Sequence, residues 1–243
     1  MDNQNRSGFA TSSQMSRIAA SLKSGKPSQG FFGYIEEIIA ERLMGRVASV
    51  NVKTRPMKWG NLMEIVLFNL LGMDYEMAHK KTIKHHKYSK IWSGTPDLIA
   101  AKKIGEIKCF EPKAFSLLSH CLLKKDVDLF KEKFPKEYWQ CVSNAILCKV
   151  QRAEIIAYMP YRSELIKIID LITSTDFLVD NGLEPNDYYF MTTADIETMA
   201  YLPDDSPMSN INSFEFEVPM EDQIFLTKRI IEAEKLVKEG LAA

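Results

Sequence analysis

The segment Gly94-Thr95-Pro96-Asp97-Leu98-Ile99-Ala100-Ala101-Lys102-Lys103-Ile104-Gly105-Glu106-Ile107-Lys108 constrains this chain more than any other stretch. Its two apolar runs are too short for helices, and the pattern predicts two strands joined as a hairpin around Lys102-Lys103. With Ala101 opposite Ile104, Asp97 faces Lys108 and Ile99 faces Glu106. Side chains alternate between the faces of a strand, so Asp97, Glu106 and Lys108 share one face, and Leu98, Ala100, Ile107 and Cys109 take the other, where a core wants them. This pairing requires an even loop. A three-residue turn would set Asp97 against Cys109 and send Glu106 to the opposite face. Lys-Lys is a poor two-residue turn, so a four-residue loop of the same register is expected.

On that polar face Asp97 and Glu106 are diagonal neighbours, close enough to grip one hard cation such as Mg²⁺ together with the carbonyl of Ile107. Lys108 beside them could orient or help deprotonate a water and offset charge on a phosphorane-like transition state. A solvated salt-bridge face is the plain alternative. Upstream, Trp59-Gly60-Asn61-Leu62-Met63-Glu64-Ile65-Val66-Leu67-Phe68 sets a single carboxylate in an apolar helix expected over 61–71 and stopped by Gly72. A charge there needs a partner. Either Asn61 and Glu64 form a capping box, or Glu64 is a further metal ligand facing the hairpin. Downstream, Gln140, Ser143, Asn144 and Gln151 fall near one stripe of a helix expected over 135–150, lining a phosphate or sugar path or forming a hydrated face.

The remaining pattern is mixed α and β. Apolar residues at Phe31, Tyr34, Ile35, Ile38, Ile39 and Leu43 predict an amphipathic helix with Gly45 as its stop. Residues 82–88 look β-like, 114–123 helical, 153–158 a buried strand, 162–173 a helix, 187–191 a strand, and 220–239 a long terminal helix. The Pro/Asp/Ser/Asn stretch 203–213 reads as an exposed loop. The four cysteines form no CxxC pair, which supports neither a zinc knuckle nor a redox motif. His85-His86 points to opposite sides of a strand, against joint ligation. No apolar run reaches membrane-helix length and the first residues lack signal-peptide order, so a cytoplasmic protein with no membrane partner is expected.

The formal charge of −1 conceals a division: residues 1–150 carry a net +10 and residues 151–243 a net −11. The basic part suits a polyanion, while the acidic part faces solvent or a protein partner. Lys80, Lys81 and Lys84, in a lysine-rich stretch with Tyr88 and Trp92, suit phosphate contact, or protect an edge strand.

Together, WGxxxE in a helix, then GTPD, GEIKCFEP and YWQ followed by a strand, resemble the PD-(D/E)XK nuclease superfamily, and within it the lambda-type phage exonuclease family of viral recombinases. The resemblance spans about residues 6 to 160. It implies one α/β domain over 1–243 with a restriction-endonuclease-like core, a mixed central sheet flanked by helices, an N-terminal arm over 1–30 and an acidic C-terminal elaboration over 160–243. It further implies Mg²⁺-dependent digestion of linear double-stranded DNA from 5′ ends, with Mn²⁺ as a substitute. A trimeric homo-oligomer, a single-strand annealing protein as partner, and a host-cell cytoplasmic setting go with it. By position, Glu64, Asp97 and Glu106 are the implied metal ligands, Lys108 the catalytic lysine and Gln140 the glutamine that steadies the site. Arg6, ahead of Thr11-Ser12-Ser13, resembles the family's arginine and hydroxyl cluster for a terminal phosphate. A structure-specific or restriction-type endonuclease, and a non-catalytic DNA-binding module of the same fold, are the alternatives.

Overall fold

The computed structural model describes residues 7–48, 54–71, 75–77, 83–84, 87 and 89–242. A short strand β1 (Ala10–Thr11) leads through a 3-10 turn into α1 (Met15–Ala19) and α2 (Gln29–Met44), which stops where Gly45 turns left-handed at φ 65°. Next come α3 (Arg55–Leu71) and the strands β2 (Glu76–Met77), β3 (Ile83–Lys84), β4 (Trp92–Gly94), β5 (Leu98–Ile99) and β6 (Lys103–Lys108). Three helices, α4 (Pro112–Leu123), α5 (Val127–Lys133) and α6 (Pro135–Cys148), carry the chain back to β7 (Arg152–Tyr158). The final third holds α7 (Arg162–Thr173), α8 (Asp176–Asp180), α9 (Tyr189–Thr193), β8 (Ile211–Glu217) and α10 (Met220–Ala242).

The central sheet runs β2-β5-β6-β7-β8, and a smaller one runs β1-β4-β3. Only β6 and β7 are parallel in the large sheet. A parallel neighbour demands a long crossover, and α4 to α6 supply it. The sheet is buried on both sides, which is why β7 reads as a nearly unbroken apolar run. Ile104, Ala153, Ile155, Phe214 and Phe216 face a core built with α1, α2, α4, α6 and α10. Leu98, Ile107, Ile156 and Tyr158 face a second core with α3, α7, α8 and α9. The architecture is thus mixed α/β with a central mixed sheet flanked by helices.

The hairpin is tighter than expected. Leu98 faces Gly105 and Ile99 faces Ile104, and Ala100 N donates to the Lys103 carbonyl at 2.9 Å, which leaves Ala101-Lys102 as a two-residue turn. The slip from the expected register is two residues, an even number, so every side chain keeps its face.

Elsewhere, three expectations change. Residues 187–191 are not a strand: a 3-10 turn at Pro185–Asp187 runs into α9, because Tyr188 and Met191, three apart, bury together in the second core. The end of the expected 203–213 loop opens β8, whose buried Phe214 and Phe216 alternate with the more exposed Ser213, Glu215 and Glu217. Helix α3 starts six residues early, at Arg55-Pro56, where proline tolerates the donor-free first turn. Asn61 is therefore in a helix interior and the capping-box reading of Glu64 falls. Also unforeseen is α5, whose Asp126 accepts from Leu129 N at 3.0 Å as its N-cap. Gly72, His85 and His86 lie outside the described residues.

Candidate active site

Three segments, α3, the β5–β6 hairpin and α6, meet at the end of β6. On α3, Met57, Gly60, Asn61 and Glu64 recur at helical spacing and line one side of a cleft. Their helix is held by Leu62, Met63, Val66 and Leu67, all buried in the second core. Glu64 is thereby pointed at the hairpin. Burial first, and the neighbouring Asp97 carboxylate second, push its carboxyl well above the usual range, with Lys108 opposing them.

Asp97 sits just before β5, where the ladder to β6 ends. The next hydrogen-bonded pair would join Ile107 to Pro96, which has no N–H to give. Asp97 takes over: its Oδ2 accepts from Ile107 N at 2.8 Å. The carbonyl of Ile107 receives no ladder donor from Pro96, and Asp97 and Ile107 both line the cleft.

Glu106 and Lys108 lie on the face of β6 covered by α6. Glu106 is fully buried and does not line the cleft. Its Oε2 accepts from Gln140 Nε2 at 2.6 Å and from Lys108 Nζ at 3.3 Å, while its Oε1 accepts from Asn144 Nδ2. Burial and the Asp97 charge push its carboxyl up to about 8, against the pull of Lys108 and Asn144. For Lys108 burial works against the charge, but Glu106, Asp97 and Glu64 outweigh it and hold the amine protonated. The polar stripe on α6 is not a hydrated face: Gln140 lines the cleft and donates to Glu106, Asn144 donates to Glu106 from a buried position, and Ser143 accepts from Trp92 Nε1 at 2.8 Å inside the core. Gln151 lies beyond the helix and contacts Gln223.

The cleft encloses about 1120 Å³. Besides Glu64, Asp97, Ile107, Lys108 and Gln140, its wall includes Arg55, Trp59, Lys136 and, from the acidic third, Phe190 and Met199. The guanidinium of Arg55 lies 5.3 Å from the Phe190 ring centre, and Lys58 pairs with Asp187 at 3.0 Å, tying α3 to that wall. Neither Phe190 nor Met199 carries a sequence signal that separates it from core residues.

The candidate DNA contacts divide. Ser13 lines the cleft. Ser12 does not: it is buried, and its hydroxyl shares a 2.7 Å hydrogen bond with that of Ser143, because the arm packs under α6. Its role is therefore internal. Lys84 is in β3, while Arg6, Lys80 and Lys81 lie outside the described residues. Lys131, on helix α5, is committed to the buried Asp222 at 2.6 Å.

Among the described residues no group of three or more His, Cys, Asp or Glu side chains is arranged to hold an ion alone. The donors still suit a hard cation. Mg²⁺ is usually held by one or two carboxylates with substrate phosphate and water completing the shell. Glu64, Asp97 and the Ile107 carbonyl are all oxygen donors on one cleft, with Glu106 in the wall behind.

No protein-family model matches the chain, and no curated protein does. Solved structures do. A phage-related exonuclease from Haemophilus somnus 129PT has 15% identity and a TM-score of 0.63, with 99% of this chain and 98% of that one covered. The alkaline exonuclease LHK-Exo from Laribacter hongkongensis has 14% identity and a TM-score of 0.57 over 97% and 92% of the two chains. Its complex with dAMP gives 13% and 0.58. At these identities the likeness establishes a shared fold across nearly the whole length.

Proposed function

We propose that this chain is a metal-dependent deoxyribonuclease of the PD-(D/E)XK type, acting as an exonuclease that hydrolyses linear duplex DNA from 5′ ends in phage-type recombination. The observation that supports it most is the meeting of Glu64, Asp97, Lys108 and Gln140 in one cleft, from α3, the β5–β6 hairpin and α6. The fold likeness to exonucleases adds to it.

Glu64, Asp97 and the Ile107 carbonyl would hold Mg²⁺ or Mn²⁺, with Glu106 completing the set. When bound, such a cation supplies Lewis-acid polarisation of a phosphate oxygen. The chain's own residues do the rest. Lys108, protonated, offsets charge that builds on the phosphorus oxygens. Ile107 N–H fixes one oxygen of Asp97, leaving the other to the cleft. Gln140 and Lys108 fix Glu106. Arg55, Lys136 and Ser13 offer donors to phosphate along the cleft, and Arg6, Lys80, Lys81 and Lys84 are the further residues proposed to meet DNA. Trimer formation and an annealing-protein partner for the acidic third belong to the same proposal.

Digestion of end-labelled linear and closed circular duplex, with Mg²⁺ or with chelator, tests it. Mg²⁺-dependent loss of 5′ label from linear DNA, with the circle intact, is the expected result. Cutting of the circle would move the assignment to an endonuclease, and no hydrolysis with any divalent cation would overturn it.

A further inference from the structure

Helix α6 presents two amides, one turn apart, to a single carboxylate. Gln140 and Lys108 donate to Glu106 Oε2, and Asn144 donates to Oε1. Three donors on a carboxylate with about four lone-pair positions leave roughly one position open and fix the plane of the group. Asn144 is fully buried, so it cannot touch substrate. Its Oδ1 finds no hydrogen-bond donor among the described residues. Such an orphan is costly, and Cys141 and Leu147, three residues either side of Asn144 on the same flank of α6, are buried apolar side chains. An amide here runs against packing preference.

Gly94 gives a second, independent sign. A Cβ at that position would stand 2.4 Å from Asn144 Oδ1 and 1.9 Å from Ser12 Oγ. The strand before Asp97 thus clears the space that the Asn144 amide occupies while it reaches Glu106.

We infer that Asn144 is a positioning residue, holding Glu106 in the orientation that leaves its one open acceptor position available to the site. The inference rests on the reading of Glu106 as part of the cation-binding set. Without the Asn144 donor, Oε1 is unpinned, and the carboxylate turns about its terminal torsion.

The test uses the full chain with Asn144→Ala, and with Asn144→Leu, which keeps the volume and loses the amide. Gly94→Ala keeps the amide but crowds it, along with Ser12 Oγ and the Leu147 side chain, and Ser143→Ala is the structural control. Mn²⁺ affinity by calorimetry, kcat and KM on linear duplex, and melting in chelator are read for each. The Asn144 variants and Gly94→Ala should bind Mn²⁺ about 10- to 100-fold more weakly, with kcat reduced and KM for DNA unchanged. Ser143→Ala, which removes the hydrogen bonds to Trp92 and Ser12, should melt earlier yet bind Mn²⁺ as the wild type does. Wild-type cation affinity and kcat in Asn144→Leu would overturn the inference while leaving the nuclease reading intact. Equal loss of affinity in Ser143→Ala would also overturn it, by tracing the effect to general loosening of α6. A folded wild type that takes up no Mn²⁺ would overturn both the inference and the reading beneath it.

Discussion

At the scale of single residues, the site combines buried charges that would not survive alone. Glu106 and Lys108 are fully or largely buried: Glu106 is tolerated because Lys108, Gln140 and Asn144 donate to it, and Lys108 because the Glu106, Asp97 and Glu64 carboxylates surround it. Lys108→Ala and Glu106→Gln should each lower kcat by about 10²-fold or more, the scale of removing one charge-stabilising group. Circular dichroism should show the fold retained, and turnover near the wild-type value in either variant would remove these residues from the chemistry. Ser12 is a different case. Its hydroxyl meets Ser143 in the core, so Ser12→Ala should cost about 1 kcal/mol of stability and leave DNA affinity unchanged. Urea unfolding paired with a DNA titration measures both.

At the scale of elements, the β6-β7-β8 ladder carries its own charge pattern at the end away from the cleft. Lys103 bridges Glu154 at 2.6 Å and Glu215 at 2.9 Å, Tyr75 donates to Glu154, and Arg152 pairs with Glu215 at 2.8 Å. Burial raises the Glu154 carboxyl, but the bonds from Lys103 and Tyr75 outweigh it and the group ends below its ordinary value of 4.5. A carboxyl lowered by folding contributes stability above its unfolded value and loses it as pH falls through the folded one. The wild type should therefore weaken as pH drops below about 4.5, and Glu154→Gln should flatten that dependence. Acid unfolding curves for the two proteins with identical slopes would contradict this.

For the whole molecule, charge division and fold are separable. The acidic third is no detached appendage: Phe190 and Met199 wall the cleft, and β8 and α10 close the first core. Its carboxylates are partly internal. Glu234 is buried, accepts from Lys90 N at 3.1 Å and pairs with Lys238, so it is no surface probe of a protein partner, whereas the more exposed Glu232 on the same helix is one. For the basic part, neutralising Lys80, Lys81 and Lys84 together should reduce the salt dependence of DNA binding, by about 0.9 in the logarithmic slope for each phosphate these lysines neutralise in the wild type. Equal slopes for the wild type and the triple variant would mean that these lysines do not meet phosphate. Among the described residues no helix is long and apolar enough to cross a membrane.

Parity and period are local properties, and the sequence alone carried them. Asp97, Glu106 and Lys108 share a face because strand side chains alternate, and an even slip in the hairpin could not disturb that. The stripes of α2, α7 and α10 are equally legible, since a helix repeats every 3.6 residues. What a face meets is not local. That Glu64 belongs to the third turn of α3 followed from where the chain could start a helix and pack it. That α6 lands over β6 followed from the crossover to β7. The consequence is that Gln140 and Asn144, spaced as any i, i+4 pair, grip one buried carboxylate instead of facing water. Nor could composition tell that Ser12 is buried or that Phe190 walls the cleft. Those outcomes depend on the meeting of segments more than 80 residues apart, and only the packed molecule decides them.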